Sequence, residues 1–280
     1  MHIERRFSLA TLLPADLVDG VGDRSLHVPT WAFEPDGWSF AFQRGLRRLP
    51  LDGRKVWEVG MGTGLNLLLL NRWFPTAWLR GSDYNPTCTA LVRENLDPSD
   101  RIEILDGTWD LVTHTEASCV LEVVDYVIAC IPQVPANGHD LAEGDNLSHY
   151  YAPANYPEAR RHVLGLGLNE ALLERAHHVL LPGGKVVLNL GGRPGLGRLL
   201  EMFRDYGYNP RIVHEEVIPQ HADTSLSALA RMEESGAAHF EFFVDAEGTQ
   251  QVNAQVAEER RLAGQSLYHK IYVIEGVLMR

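Results

Sequence analysis

The chain has 280 residues, with 25 lysines and arginines against 37 aspartates and glutamates, and a formal net charge of −12. Apolar residues make up 45% and charged residues 22%, a globular composition that excludes a disordered chain, a collagen-like repeat and a disulfide-stapled miniprotein. The acidic balance argues against nucleic acid as a partner, because phosphate contacts need a basic surface, and suits a zwitterionic or cationic small molecule.

The opening MHIERRFSLATLLPADL has two arginines before a short apolar run, but Pro14 and Asp16 interrupt that run and no signal peptide is expected. Residues 1–50 carry turn formers and aromatics, among them Pro29, Trp31, Pro35 and Trp38, and are expected to form an irregular N-terminal arm or cap ending in a short helix near 39–48. From residue 54 strands and helices alternate. KVWEV (55–59) reads as a buried strand and GLNLLLLNRWF (64–74) as the helix after it. WLRGSD (78–83) and TCTALVRENL (87–96) repeat the pair, and RIEILDG (101–107) is a third strand. VVDYVIACI (123–131) has the near-continuous apolar run of a central parallel strand. Residues 132–160, rich in Pro and Gly and holding Tyr150, Tyr151 and Tyr156, predict a long irregular connection, which is uncommon unless functional.

The alternation then resumes. GLNEALLERAHHVL (167–180) is an amphipathic helix ended by a Pro-Gly-Gly turn at 182–184, and KVVLNLGG (185–192) is a fifth strand. LGRLLEMFRDYG (196–207) is a helix closed by Gly207. RIVHEEVI (211–218), HFEFFV (239–244) and HKIYVIEGVLM (269–279) are late strands, with helices near 224–234 and 254–263. No uncharged apolar stretch reaches the ~18 residues of a membrane span. Cys88, Cys119 and Cys130 are too few for a disulfide framework, and the 12 histidines lack zinc-ligand spacing, so a soluble cytoplasmic protein without metal or membrane partner is expected.

Five strand–helix alternations predict right-handed crossovers and a doubly wound, mostly parallel sheet, whose ligands sit beyond the carboxyl ends of the strands. The first such loop is EVGMGTG, where Gly60, Gly62 and Gly64 permit a tight turn and close approach of a ligand to the backbone. Asp83 ends the second strand 19 residues after Gly64, where a carboxylate can take both hydroxyls of a ribose. This pair suits a nicotinamide dinucleotide and S-adenosylmethionine (SAM) alike.

Two details favour the second. The strand is entered by Glu58, and the loop reads G-x-G-x-G. The segment resembles motif I of the class I SAM-dependent methyltransferases, which implies a Rossmann-like α/β fold with antiparallel late strands. DGTWD (106–110) resembles the adenine-side loop of that superfamily, which implies Thr108 or Trp109 against the adenine ring. The resemblance thus implies a cofactor site of Glu58, Gly60, Gly62, Gly64, Asp83, Tyr84, Asn85, Thr108, Trp109 and Cys130. After the fourth strand, ACIPQVP (129–135) departs from the Asn/Asp-Pro-Pro-aromatic motif of amine methyltransferases: Cys130 replaces the polar residue and Gln133 the aromatic. This argues against methylation of an amine, amide or nucleobase. Cys130 has no histidine near it in sequence, and is read as a small buried residue rather than a nucleophile.

CIPQ (130–133), LSHYY (147–151), GLGL (165–168), LNLGGRPGLG (188–197), ADTSLSALARMEES (222–235) and HFEFF (239–243), with FEPDGWSF (33–40), resemble the methyltransferase domain of plant methionine S-methyltransferase over roughly residues 28–275. The resemblance implies a stand-alone relative of the kind found in bacteria, a methyltransferase body over 51–280 with the arm before it and a C-terminal extension. It implies methyl transfer to the sulfur of L-methionine, with no general base, since a thioether has no proton to lose. Trp38, Tyr150 and Tyr151 are the aromatic faces suited to a sulfonium. Arg193 is the first choice for the substrate carboxylate. Asp223, Asn189 and the 130–133 segment with Gln133 are candidates for the ammonium group, with Asp223 alternatively capping a helix that begins near Thr224. Residues 132–160, His149 included, are expected to close as a lid. Another small thioether, a thiol such as homocysteine, a non-catalytic SAM-binding role and a homo-oligomer are left open.

Overall fold

A computed structural model describes residues 4–105, 122–133 and 161–279 of the chain. The elements are β1 (Glu4–Ser8), α1 (Leu9–Leu12), β2 (Ser25–Pro29), α2 (Gly37–Leu46), β3 (Lys55–Val59), α3 (Leu65–Trp73), β4 (Trp78–Ser82), α4 (Pro86–Asn95), β5 (Ile102–Ile104) and β6 (Val124–Ala129). After a 3-10 turn (His162–Leu164) come α5 (Gly167–Ala176), β7 (Leu180–Gly191), α6 (Leu196–Asp205), β8 (Tyr208–Pro219), α7 (Ser227–Glu234), β9 (Phe242–Phe243), β10 (Gln251–Val252), α8 (Ala254–Leu262) and β11 (Tyr268–Leu278). Among the described residues no helix is long and apolar enough to cross a membrane.

The main sheet runs β10-β9-β11-β7-β6-β3-β4-β5, with β8 also paired to β11. Strands β7, β6, β3, β4 and β5 are parallel, and β11 is antiparallel to both β7 and β8. The chain passes from β3 outward to β5 and then returns to β6 on the other side of β3, so the loops after β3 and β6 part at the switch point of the sheet. This is the doubly wound, mostly parallel α/β sheet that the alternation predicts, with the antiparallel late strands that the family resemblance implies.

The central strands read as apolar runs because helices cover both of their faces. On one face Trp57, Val59, Val127, Ala129, Val186, Leu188 and Leu190 pack with α5 and α6. On the other, Val56, Ile128, Val187 and Val273 pack with α2, α3 and α4. Helix α3 is apolar on two sides. Leu67 and Leu70 face the sheet, while Leu65, Leu68 and Leu69 are covered by Leu9, Leu13, Leu17, Val21, Leu26 and Val28. Within the segment expected as an arm or cap, residues 4–29 are not irregular throughout: β1 and β2 pair antiparallel and cover the outer side of α3.

Three further expectations change. Pro182-Gly183-Gly184 lies inside β7 rather than ending a helix, because Val124 pairs with Leu180 and Tyr126 with Lys185, leaving the tripeptide as an irregularity in the ladder. Helix α7 starts at Ser227 after Leu226, so Asp223 is not its N-cap. The expected C-terminal extension is instead an insertion between β8 and β11, in which α7, α8 and β9 close around Leu226, Leu229, Met232, Phe240, Phe242, Ala254 and Ala257. Residues 134–160, most of the expected lid, lie outside the described residues.

Helix α2 sits close against β11: a Cβ on Gly45 would lie 2.6 Å from a methyl carbon of Val273 and 2.7 Å from its Cβ. Gly45→Ala is expected to destabilise the protein by roughly 1–3 kcal/mol, the scale of an overpacked core, despite alanine's better helix propensity. Urea unfolding midpoints check this, and an unchanged midpoint would mean that α2 can lift off β11 at no cost.

Candidate active site

The side chains at the carboxyl ends of the strands follow from strand alternation. On the α2 face Glu58 lies beside Ile128 and Ile128 beside Val187, and two positions after Ile128 and Val187 stand Cys130 and Asn189. Strand β11 runs the other way, so its polar residue precedes the apolar ones: His269 comes before Ile271 and Val273. The apolar core thus gives way to polar side chains at Glu58 on β3 and one row later at Cys130 and Asn189.

The first half of the site is the loop from β3 to α3. Gly60, Gly62 and Gly64 hold φ values of +74°, +53° and +78°, which side chains strongly disfavour. A Cβ on Gly60 would strike Ile131 and one on Gly64 would strike Val92, each at 2.8 Å, whereas Gly62 faces open space. Gly64 begins α3 with no side-chain cap, which leaves helix N–H groups at the loop available to a ligand. Asp83 joins this loop to the next: one carboxylate oxygen accepts from Gly62 N–H at 2.9 Å and the other from Asn85 N–H at 2.8 Å. The Asn85 side-chain oxygen is committed to capping α4 through Thr87 N–H, and Tyr84 packs at the edge of the core.

Glu58 is fully buried. Asn66 donates to its Oε1 at 2.7 Å and Gln43 of α2 donates to Asn66 at 3.2 Å, but Oε2 has no hydrogen-bond partner among the described residues. Burial, against the opposing pull of the Asn66 bond, raises its pKa to about 8. The carboxyl is thus held near neutrality and would gain from a cation at Oε2.

The second half lies beyond β6 and β7. Gln133 bonds both backbone groups of Gly191, donating to its carbonyl at 3.4 Å and accepting its N–H, which carries the β6–β7 ladder past its last residue. Trp38 lies against Gly191, where a Cβ would be 2.6 Å from the indole. Asn189 donates to the Trp38 carbonyl at 3.0 Å and to Cys130 Sγ at 3.3 Å, and its own Oδ1 is buried without a partner among the described residues. Burial pushes the Cys130 thiol up to about 12, so it is no thiolate nucleophile. Arg193 follows at the end of β7. Its Nε is buried with no partner among the described residues, and desolvation pulls its pKa down to about 10. A guanidinium nitrogen buried without an acceptor is costly, and marks a place for an anion.

Trp38, Gln133, Asn189 and Cys130 are thus brought together, with Arg193 two residues beyond Gly191, and Glu58 and Asp83 with the glycine loop. Asp223 is not among them: it is exposed in the turn before α7, within electrostatic reach of Arg261. Besides Glu58, the carboxylate within electrostatic reach of Cys130 among the described residues is Asp36, which caps α2 by accepting from Trp38 and Ser39 N–H and faces His221 at 3.4 Å. Thr108, Trp109, Tyr150, Tyr151 and His149 lie outside the described residues. Sequence reading missed Asp36 and His269, although Asp-Gly-Trp-Ser before a helix is a capping signal and His269 opens the most apolar late strand. Among the described residues no group of three or more His, Cys, Asp or Glu side chains could hold a metal ion.

Glu58 carries a pH signature. In the unfolded chain it loses its proton near the usual carboxylate value, while in the folded ligand-free protein it keeps the proton until about pH 8. The unfolded state binds fewer protons between those values, so Glu58 subtracts stability as pH rises through that window. Glu58→Gln removes the term. The thermal midpoint of Glu58→Gln relative to wild type should rise between about pH 5 and pH 8, by up to ~1.4 kcal/mol of stability per pH unit. A difference that stays constant with pH would show that Glu58 is ionised in the fold.

No protein-family model matches the chain. It is 30% identical over 269 residues to methionine S-methyltransferase of Zea mays, a match covering 86% of this chain and 24% of that protein. The protein of the same name from Arabidopsis thaliana is 28% identical over 271 residues, covering 86% of this chain and 25% of the relative. The chain therefore spans about a quarter of the length of the curated relatives it matches. Among solved structures, a methyltransferase from Pyrococcus furiosus superposes with a TM-score of 0.50 at 12% identity, covering 92% of each chain. The chain belongs, by homology over most of its length, with one segment of the plant methionine S-methyltransferases, and it has the class I methyltransferase fold.

Proposed function

We propose that the chain is a SAM-dependent methyltransferase that methylates the thioether sulfur of L-methionine, giving S-methyl-L-methionine and S-adenosylhomocysteine. The observation that carries this reading beyond the fold is the desolvated Arg193 just beyond β7, its Nε without a hydrogen-bond partner among the described residues, beside the strand end where Trp38 covers Gly191, in a chain related to proteins of that name. Arg193 suits an α-carboxylate, and the orphan Asn189 Oδ1 and the Asp36 carboxylate suit an α-ammonium. SAM supplies an activated methyl group on a sulfonium. The residues present fit it: Gly62 leaves open space, Asp83 directly follows β4 as a carboxylate suited to a ribose, and the Glu58 Oε2, unpartnered among the described residues, is an acceptor for an ammonium group. Thr108 and Trp109 are proposed at the adenine side, and residues 132–160, with Tyr150 and Tyr151, as the lid.

The acceptor sulfur attacks with a lone pair and has no proton to release, so the chain need only align two sulfurs, exclude water and tolerate a moving positive charge. The Trp38 face, seated by Gly191 and the Asn189 bond to its carbonyl, suits that charge. A thiol acceptor such as homocysteine is the second reading, favoured by the neutral His269 imidazole near Trp38, which could take a thiol proton. Mass spectrometry of products from methionine, homocysteine and other small thioethers, each incubated with SAM, tests the choice. Methionine should give a product heavier by one methyl and permanently charged. A homocysteine product alone, or no turnover by a protein that binds SAM, would overturn the reading.

Asp83→Ala should weaken SAM binding by roughly 1.5–3 kcal/mol through lost hydrogen bonds to a charged group, measured by calorimetry on folded protein. Unchanged affinity would remove Asp83 from the SAM site. Arg193→Ala should raise the KM for methionine far more than that for SAM, and Arg193→Lys should recover only part, since lysine lacks the planar fork. Methionine methyl ester, tested on wild type, should be a poor substrate; equal turnover would contradict the role given to Arg193.

A further inference from the structure

His269 opens β11 on the face covered by α2, two residues before Ile271, and is only 3% exposed. The Trp38 ring lies 5.7 Å from its imidazole, tilted by 43°. Both of its ring nitrogens are buried without a hydrogen-bond partner among the described residues. A buried imidazole normally finds at least one partner, and one left with none is as unfavourable as an unpaired amide. Close by, Arg193 Nε is also unpartnered, and the strand register explains the proximity: Ile271 pairs with Gly191, and the Gly192 N–H donates to the Lys270 carbonyl, so the chain carries Arg193 to the level of His269. The His269 ring and the Arg193 Nε, neither with a hydrogen-bond partner among the described residues, stand at the same end of two paired strands.

We propose that His269 is a substrate-recognition residue, donating a ring N–H to the same carboxylate that Arg193 holds. The proposal rests on the reading of the acceptor as an amino acid. Burial, the Arg193 charge and His221 all disfavour protonation of His269, which keeps the ring neutral with one N–H to give. A neutral donor beside a guanidinium adds a directed hydrogen bond without a second buried charge, whose desolvation would exceed its gain. Trp38 holds the ring from the α2 side, so the residue proposed to face the sulfonium also orients the carboxylate donor. The two ends of a methionine-sized ligand would thereby be read by residues in contact.

The test compares wild type, His269→Phe, His269→Asn and His269→Gln with three ligands: L-methionine, 4-(methylthio)butanoate, which keeps the carboxylate, and 3-(methylthio)propylamine, which lacks it. His269→Phe is expected to raise the KM for methionine and the inhibition constant of 4-(methylthio)butanoate roughly tenfold to a hundredfold, the range for a lost hydrogen bond to a charged group. The inhibition constant of 3-(methylthio)propylamine and the affinity for SAM should stay within about twofold, and either amide variant should recover part of the loss because it restores an N–H donor. Should His269→Phe fail to fold, the amide variants carry the comparison, with one retaining selectivity for the carboxylate ligands and both keeping SAM affinity. Equal weakening of the carboxylate and carboxylate-free ligands would overturn the proposal and make His269 a packing residue. A wild type that binds SAM but neither methylates methionine nor binds 4-(methylthio)butanoate would overturn the amino-acid reading and this assignment with it, whereas methionine turnover insensitive to His269 would overturn this assignment alone.

Discussion

The close seat of α2 on β11 is the contact on which both halves of the site depend. Gly45 lets the helix backbone approach Val273, and Phe42 and Leu46 of the same helix fill the core beneath it. From that position α2 reaches two places at once. Gln43 contacts Asn66 and through it Glu58 on the glycine-loop side, while Trp38 in the first turn of the helix stands over Gly191 and next to His269. One helix, held at one distance by a missing side chain, therefore sets the spacing between the loop after β3 and the strand ends of β7 and β11. A cavity or clash at Gly45 would be felt at both ends, because close-packed interiors transmit small shifts.

Around that helix the fold maintains several groups in states that burial makes unfavourable. Glu58 is pushed towards its neutral form, Arg193 is desolvated with its Nε unpartnered among the described residues, and His269 is kept neutral with both nitrogens likewise unpartnered. Each is a local loss of stability, offset by the apolar packing of Trp57, Val127, Val186 and their neighbours on the other face of the sheet. A ligand with an ammonium and a carboxylate would relieve two of these losses directly. Stored unfavourable burial of this kind favours binding of the right charge pattern, since the free site has already given up its hydration. On the proposed reading of a thioether acceptor, recognition falls on the charged ends of the ligand, and the Cys130 thiol is held protonated by burial.

The alternation of strands and helices from residue 55 onward was legible because each segment's period of two or 3.6 is a local property. The glycine loop was legible for the same reason: Gly60, Gly62 and Gly64 mark three left-handed backbone positions. The irregularity at Pro182–Gly184 was not, since the same tripeptide ends a helix or interrupts a ladder depending on which strand lies alongside, and here Val124 and Tyr126 decide. The N-terminal arm looked irregular because β1 and β2 are short, and only the exposed leucine row on α3 gives them a surface to cover.

By itself the sequence determined the α/β class, the glycine loop with Glu58 and Asp83 flanking it, and Arg193 as a cation placed in a loop beyond a strand, all from residue type and spacing along one stretch of chain. Tertiary structure alone decided that Asp36, with Glu58, lies within electrostatic reach of Cys130 while Asp223 is exposed before α7, that Asn85 is spent on capping α4, and that His269 stands near Arg193 with both nitrogens unpartnered among the described residues. The physical reason is that charge, burial and hydrogen-bond partnership are properties of neighbours. His269 and Arg193 are 76 positions apart in the chain and meet only because β11 pairs antiparallel with β7.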